Sequence, residues 1–289
     1  MTHPKDILSS EQITELRNLS VNTEDEKQLS ASILAIIYKH KWFHLLVPQA
    51  YGGKELGLPE TVRLFEALAY AEANIGWCVN LGAGANMFAG YLPEAFASNN
   101  FASAQTCCAG SGAISGRAQK VENGYMVTGK WKYASGANHA THFTANAYLL
   151  DENGAQIMEY DKPTFRSFII EAQHILNHKN WNAIGLKATS SNDFEAIDVF
   201  VPEQQTFTLL RPSSFAQGTL YKFPFEQMAV VNMSCMVSGM ALHFIDLYVA
   251  LAATKQPLHD ERLLKDNDRA IQIFEAATTT FYNARTAMY

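Results

Sequence analysis

Apolar residues recur at helical spacing through the first hundred residues of the chain. In the stretch KQLSASILAIIYKH, Leu29 and Ile33 begin an apolar stripe on one helix face. Thr23 and Glu26, just before it, have the spacing of a capping box. The pattern therefore predicts an amphipathic helix that follows this box and ends near His40.

Further helices are predicted up to about residue 99. Pro59 follows a glycine-rich loop and suits the first turn of a helix that runs to about Ala73. The next stretch, NIGWCVNLGAGANMFAGYL, is apolar nearly all round and rich in small residues, which predicts a helix buried inside a domain. Pro93 is expected to open a last short helix. Residues 1–100 are thus predicted to form an N-terminal helical domain.

The hydrophobic period becomes that of β-strands between about Phe101 and Glu203. The segments GYMVTG, THFTANAYLL, FRSFIIE and DFEAIDVFVP are rich in β-branched and aromatic residues, and turn-forming sequences separate them. Such short strands in close succession predict a barrel or sandwich. We expect residues 101–205 to form a middle β domain.

Helical periodicity returns after Phe223 in two long stretches, joined by a polar loop that contains Pro257. Residues 206–289 are therefore predicted to form a C-terminal helical domain with two long helices. The fold class expected from the whole pattern is α+β and multidomain, with helices on both sides of a β-barrel or sandwich in chain order.

Composition narrows the range of partners. The chain has 289 residues, 48% of them hydrophobic, and a net charge of −6, without a run of basic residues that would hold nucleic acid. No basic leader segment is visible, and no apolar run is expected to reach the roughly 20 residues of a membrane span. Four cysteines without a CxxC pair are typical of reduced thiols. These features predict a cytoplasmic protein whose partners are small molecules or another protein, and no metal site.

One stretch of the β region, GYMVTGKWKYASGANHATHF, concentrates candidate chemistry. Strand alternation places Trp131, Tyr133 and Ser135 on one face, with Lys132 and Ala134 on the other. A shared face is compatible with a structural wall of the β domain and equally with a ligand-contacting surface. The residues alone leave both interpretations open.

Three stretches together resemble the acyl-CoA dehydrogenase superfamily, which includes two-component monooxygenases that act on reduced flavin. They are LLVPQAYGGKELGLPETVRLFEALAYAEANIGWCVN, the candidate stretch with the preceding CCAGSGAISGRAQKVEN, and NWNAIGLKATSSNDFEAIDVFVP. The last is similar to the family's Gly-Leu-Arg and Thr-x-Ser pattern, with Lys187 in place of the arginine. Their order and spacing also match the family's.

The resemblance implies a flavin site between the β domain and the helices. It places Ser135 at the reactive N5 edge of the ring and Tyr133 beside the ring. A hydroxyl suits this place because it can donate or accept a hydrogen bond as the ring changes redox state. Gly136 would let the backbone approach the ring. Backbone groups of a second segment could bind the pyrimidine end or the ribityl phosphate: Ala109, Gly110 and Ser111.

His139 is the candidate catalytic residue. The sequence Ser-Gly-x-x-His resembles the monooxygenase branch, whereas the dehydrogenases usually have Thr-Asn-Gly without a histidine. A neutral imidazole near the flavin or a substrate phenol could move or hold a proton. The alternative is a structural histidine at a β-turn. The substrate pocket implied by the resemblance lies on the middle helices, around Trp77, Asn80, Gly84, Asn86 and Met87.

Other features depart from the family pattern. Only two of the family's four closing helices can be recognised, so the C-terminal helices resemble an incomplete four-helix bundle. No glutamate falls at the place of the dehydrogenases' catalytic base. The Arg-x-x-Phe-Gly segment that reaches the flavin dinucleotide of a neighbouring subunit is replaced by ATKQPLHDERLL. The cofactor expected is FAD, with FMN as the alternative.

Three functions follow as expectations. The first is an acyl-CoA dehydrogenase-like flavoenzyme that oxidises a CH–CH bond, with hydride transfer to flavin N5. The second is a reduced-flavin-dependent monooxygenase that uses C4a-hydroperoxide chemistry on an aromatic or similar substrate. The third is a flavin-binding or scaffold protein without catalysis. The partners expected are a small-molecule substrate, a flavin reductase for the second function, and further copies of the chain in a dimer or tetramer that would cover apolar faces of the two long helices.

Overall fold

The computed structural model describes residues 2–209 and 214–289, which form an α+β structure. Its helices are α1 (Ser10–Leu19), α2 (Thr23–Glu26), α3 (Ala31–Lys39), α4 (Leu58–Ala71), α5 (Ala73–Asn86), α6 (Glu94–Asn100), α7 (Phe225–Ala252) and α8 (Asp268–Met288). Its strands are β1 (Cys108–Val121), β2 (Gly124–Ala134), β3 (His142–Leu150), β4 (Met158–Glu159), β5 (Lys162–Pro163), β6 (Phe165–Glu171), β7 (Leu176–Asn177), β8 (Asn192–Pro202) and β9 (Thr206–Phe207).

Side-chain caps decide where the first helices begin. Ser30 accepts a hydrogen bond from the backbone N–H of Ile33 and so begins α3, which ends at Lys39 with His40 as its C-cap. The predicted capping box at Thr23 is wrong. Thr23 instead lies in the one-turn helix α2, which stops because Lys27 takes a left-handed conformation with φ 55°.

The middle helices agree with their predicted positions. Pro59 lies in the first turn of α4, and α5 carries the apolar stretch that was expected to be buried. A 3₁₀ segment, Met87–Tyr91, continues α5 and is buried throughout. Together with the first helices, α4 and α5 build one large apolar core that also takes in Met228 and Leu242 of α7.

The main sheet is mixed and has seven strands in the order β7-β8-β2-β1-β3-β6-β9. Neighbouring strands pair antiparallel except β1 and β3, which are parallel. Inward-facing aromatic residues fill a second core, with Trp131 stacked on Phe194 at 5.2 Å between ring centroids. The α+β class is therefore confirmed. No ladder joins β7 to β9 within residues 2–209, so closure into a barrel stays a prediction, as does the division into three domains.

Helix α7 crosses α4 in close contact. A Cβ on Gly239 would lie 2.2 Å from the carbonyl oxygen of Glu66, so only glycine allows this approach. The expectation of no membrane-length apolar run is wrong for this helix, the one among the described residues with the length and apolar character of a span, with a mean hydropathy of 1.6. Helices that pack on the core of a globular protein can have the same composition. Helix α7 contacts α4, and 33% of its most apolar window is buried.

A buried ion pair fixes the end of α8. Arg285 and Glu66 are 4% and 2% exposed, and Nη2 of the arginine lies 2.7 Å from the carboxylate. Ser238 of α7 and Tyr289 also donate hydrogen bonds to this carboxylate. Burial alone would raise the pKa of Glu66, but the bonds from Arg285, Ser238 and Tyr289 outweigh it and hold the pKa below its usual value.

Candidate active site

A cavity of about 360 Å³ lies where α5, β1 and the first half of α7 meet. Its volume is within the range of about 300–1,000 Å³ that is usual for small-molecule sites. Apolar side chains make up most of its wall, among them Leu81, Phe88, Phe165, Phe207, Met228 and Met233. Polar side chains are fewer: Asn80, Ser111, Ser135, Thr144, Asn146, Ser167, Glu226 and Asn232. Such a wall suits a flat, largely apolar ligand held by a few hydrogen bonds.

Ser135 follows directly after β2 and brings a hydroxyl to the cavity wall. Its side chain is buried, and its Oγ accepts a hydrogen bond of 2.8 Å from Nε1 of Trp77 on α5. A hydroxyl with one acceptor position already filled has one hydrogen and one lone pair left. Ser135 is therefore oriented by α5 while it lines the cavity.

Two further hydroxyls continue from Ser135 away from the cavity. Ser191 Oγ lies 2.8 Å from Ser135 Oγ, and Thr189 Oγ1 lies 2.7 Å from Ser191 Oγ. Both residues are buried. Both residues belong to the Thr-x-Ser pattern, but residue types alone could not assign them a role, because Ser191 and Ser135 are 56 residues apart in the chain.

The segment predicted to bind through its backbone, Ala109 to Ser111, lies on β1 along the cavity. Strand β1 pairs with β2 from Gly116 onward, and its parallel register with β3 is irregular between Gly110 and Ile114. A Cβ on Gly112, or on Gly84 across the cavity, would meet nothing within 4 Å. The cavity therefore has open space at Gly84 and Gly112. The neighbouring part of β1 is not paired with β2, and the open space beside it suits a planar ring.

Tyr133 does not share a face with Trp131 and Ser135. It has φ 65° and is 66% exposed, while Ala134, predicted on the opposite face, is fully buried. The pairing of β2 with β8 shifts register between Trp131 and Ala134, and this irregularity breaks the alternation on which the prediction depended. Tyr133 lies outside the cavity wall, edge-on to Trp181 at 6.3 Å.

Gly136 shapes the turn rather than the cavity wall. Its φ of 84° is in the left-handed region, and its N–H donates to the carbonyl oxygen of Thr189 at 2.8 Å. A Cβ here would come within 3.0 Å of Nε2 of His139. The glycine is thus required by the turn and by the histidine packed beneath it.

His139 lies under this turn and outside the cavity wall. Its ring stacks on Phe43 with 5.5 Å between centroids, and its Nε2 is buried without a hydrogen-bond partner. Burial lowers the pKa of His139 to about 4, so the imidazole is neutral at physiological pH. Its catalytic role stays a prediction, and the geometry also agrees with a histidine that supports the turn.

The predicted substrate-pocket residues separate into two groups. Asn80 and Gly84 line the cavity, and Trp77 contacts it through Ser135. Asn86 and Met87 are fully buried and are not part of the cavity wall. The Asn86 side chain instead bonds the backbone of Phe43, Thr106 and Cys108.

Few charges reach this cavity. Among the described residues of its wall, Cys108 and Glu226 are the ionisable ones. Burial raises the pKa of the Cys108 thiol to about 12, so it stays protonated at neutral pH. Glu226 is exposed in the first turn of α7. The interior of the cavity is therefore close to neutral.

Proteins with similar sequences are named hydroxylases or monooxygenases. The "Pigment production hydroxylase" of a Rhodococcus species is 30% identical over 223 residues, which are 73% of this chain and 55% of that protein. The "Indole-3-acetate monooxygenase" of Acinetobacter baumannii is 23% identical over 267 residues, which are 92% of this chain and 67% of the relative. No family model matches the chain.

Solved structures show the same fold. The Streptomyces protein XiaF, in complex with FADH2 and glycerol, superposes with a TM-score of 0.88 at 19% identity, covering 99% of this chain and 73% of that one. The HsaA monooxygenase of M. tuberculosis gives 0.80 at 22% identity, covering 96% and 72%. These similarities agree with the resemblance to the acyl-CoA dehydrogenase superfamily that the three sequence stretches indicated. The chain spans little more than half the length of the Rhodococcus hydroxylase.

Within this superfamily, the expectation of acyl-CoA dehydrogenase-like CH–CH oxidation is wrong. The relatives above are named hydroxylases or monooxygenases, and a third, from Rhizobium, is an "FADH(2)-dependent resorcinol hydroxylase, oxygenase component". The sequence feature that favours the monooxygenase branch is the histidine of Ser-Gly-x-x-His, His139.

Proposed function

We propose that the protein is the oxygenase component of a two-component flavin-dependent monooxygenase that hydroxylates an aromatic or similar substrate. The observation that carries the proposal is the Ser135 hydroxyl at the wall of a largely apolar, nearly neutral cavity. The names of the relatives support the same reaction class. FAD is the proposed flavin, supported by the FADH2 in the XiaF complex, with FMN as the alternative.

A bound reduced flavin would supply two electrons to dioxygen, so that one oxygen atom enters the substrate and the other leaves as water. The protein's own part is positioning and exclusion of water. Ser135 would bind the N5 edge of the ring, with the β1 segment Ala109 to Ser111 along its other side. Phe88, Phe165 and Phe207 would enclose the aromatic substrate and keep bulk water from the reacting atoms.

The flavin site is tested by titration of the purified chain with FAD and FMN, each oxidised and anaerobically reduced. We expect saturable binding at micromolar concentration. Ser135→Ala should weaken it about tenfold, because about 1 to 1.5 kcal/mol is typical of a lost hydrogen bond. Ser135→Thr keeps the hydroxyl and is the matched control. Equal affinities for the wild type and Ser135→Ala would remove Ser135 from the site, and binding of neither flavin would contradict the function.

The partners proposed are a flavin reductase that delivers the reduced cofactor and a second copy of this chain. The second copy is supported by apolar side chains that α7 exposes, including Val237 and Phe244 at 58% and 71%. A soluble, cytoplasmic location is proposed on the composition and on the four cysteines, all of which are free and buried.

A further inference from the structure

The three hydroxyls of Ser135, Ser191 and Thr189 form a continuous hydroxyl series that begins at the cavity. Consecutive oxygens are 2.8 and 2.7 Å apart, and Thr189 Oγ1 lies 2.8 Å from the carbonyl oxygen of Leu186. All three side chains are less than 9% exposed. Each hydroxyl has only one hydrogen to donate. The hydrogen bonds of the series therefore all run in one direction, and when one of them reverses the others reverse with it.

In one direction the hydrogens point away from the cavity. Ser135 donates to Ser191, Ser191 to Thr189, and Thr189 to the carbonyl of Leu186. Ser135 then accepts from Trp77 Nε1 and has one lone pair left for a donor in the cavity. In this state, Ser135 is an acceptor toward a ligand.

In the other direction the hydrogens point toward the cavity. Thr189 donates to Ser191, Ser191 to Ser135, and Ser135 to an acceptor in the cavity. The Leu186 carbonyl then loses the bond from Thr189. It keeps the indole N–H of Trp181, which donates to it at 3.0 Å, so no buried acceptor is left unpaired. Both directions are therefore open to this structure.

We propose that Ser191 and Thr189 are positioning residues that allow Ser135 to exchange donor and acceptor roles when the bound flavin changes its redox state. This inference rests on the proposed function. Atom N5 of an oxidised flavin accepts a hydrogen bond, whereas N5–H of a reduced flavin donates one. The direction of donation along the hydroxyl series reverses between the oxidised and the reduced flavin, so the Ser135 hydroxyl has hydrogen-bond partners in both redox states.

Removal of Ser191 affects the two redox forms differently. In Ser191→Ala, Ser135 still accepts from Trp77 and donates to oxidised N5. With the reduced flavin, Ser135 must accept hydrogen bonds from both Trp77 and N5–H. The hydrogen of its own hydroxyl then has no buried acceptor. We expect the dissociation constant of FADH2 to rise by about tenfold or more and that of FAD by less than about twofold. A tenfold change lowers the potential of the bound two-electron couple by about 30 mV.

The experiment measures FAD and FADH2 dissociation constants, the latter anaerobically, for the wild type, Ser191→Ala and Thr189→Val. The valine variant removes the far hydroxyl at nearly constant volume and should shift the ratio of the two constants in the same direction. Ser190→Ala is the matched control, since Ser190 is equally buried but outside the hydroxyl series. Thermal melting of each variant confirms that it is folded before the titration.

The outcomes separate the inference from the function on which it rests. A redox-selective loss in Ser191→Ala and Thr189→Val, absent from Ser190→Ala, supports the reversible hydroxyl series. Equal changes for both redox forms, or none, would overturn it while flavin binding by the wild type still stands. A wild type that binds neither form would refute the proposed function itself.

Discussion

At the scale of single residues, the turn after β2 holds the groups on which the proposed flavin site depends. The sequence predicted Ser135 through a family pattern, and the structure places its hydroxyl at the cavity. Tyr133 was misplaced because strict alternation assumes a regular strand, and a register shift with a positive φ cannot be read from residue types. Ser191 was missed because its contact with Ser135 depends on the pairing of distant strands.

His139 gives a prediction for acid stability. Its pKa is about 4 in the folded protein and about 6.5 when unfolded, so the unfolded chain binds more protons between these values. The stability due to the neutral buried ring is complete above pH 6.5 and is lost as the pH falls toward 4. The loss is up to about 3 kcal/mol. The free energy of urea unfolding should therefore fall less steeply from pH 7 to 4.5 in His139→Gln than in the wild type.

His174→Gln is the control for that comparison, because it changes an exposed histidine in the same part of the sequence. Burial also lowers the pKa values of other histidines, such as His44 and His142. Their contribution to the change of unfolding free energy with pH has the same sign and is present in every variant. Parallel pH profiles for the wild type and His139→Gln would contradict the assignment of His139 as a neutral buried group.

At the scale of elements, periodicity located every long helix, and the predicted ends of α3 and α4 lie within two residues of the observed ones. The capping box at Thr23 failed because Ser30 offers a cap nearer to the apolar stripe. The contact of α8 with α4 could not be predicted, since it depends on a buried ion pair between residues 219 apart in the chain.

That ion pair gives the prediction for stability of the C-terminal helices. Arg285→Met should lower the free energy of unfolding by about 3–5 kcal/mol, because it leaves the carboxylate of Glu66 buried without its cation. Arg269→Met, an exposed position on the same helix, should change it by less than about 0.5 kcal/mol. Urea unfolding measures both.

The double variant Glu66→Gln with Arg285→Met removes both charges and should recover part of the lost stability. A single Arg285→Met variant as stable as Arg269→Met would show that α8 does not depend on this pair in solution.

At the scale of the whole molecule, composition and periodicity predicted an α+β chain but not its identity, which came from three stretches in family order. The apolar face of α7 also belongs to this scale. Met228 and Met236 are buried against the rest of the chain, whereas Phe244 and Leu247 are 71% and 56% exposed. The faces predicted to need cover are therefore only partly covered by this chain.

We accordingly predict a homo-oligomer in solution. Sedimentation at working concentration should give a mass of at least twice 32.1 kDa, and Phe244→Glu should shift it toward the monomer by placing a charge in the apolar face. Thr254→Glu, a change at an exposed site near the end of α7, is the control. A monomer in the wild type would contradict the prediction.

Oxygen incorporation from labelled dioxygen tests the proposed monooxygenase reaction most directly. The purified protein is supplied with FAD, NADH, a flavin reductase and ¹⁸O₂. The probe substrates are resorcinol, p-hydroxyphenylacetate and indole-3-acetate, and the masses of the products are measured by mass spectrometry. We expect one ¹⁸O atom in the product of at least one probe, dependent on the reductase. Product without the label, or reduced flavin bound tightly with no probe oxygenated, would contradict this expectation.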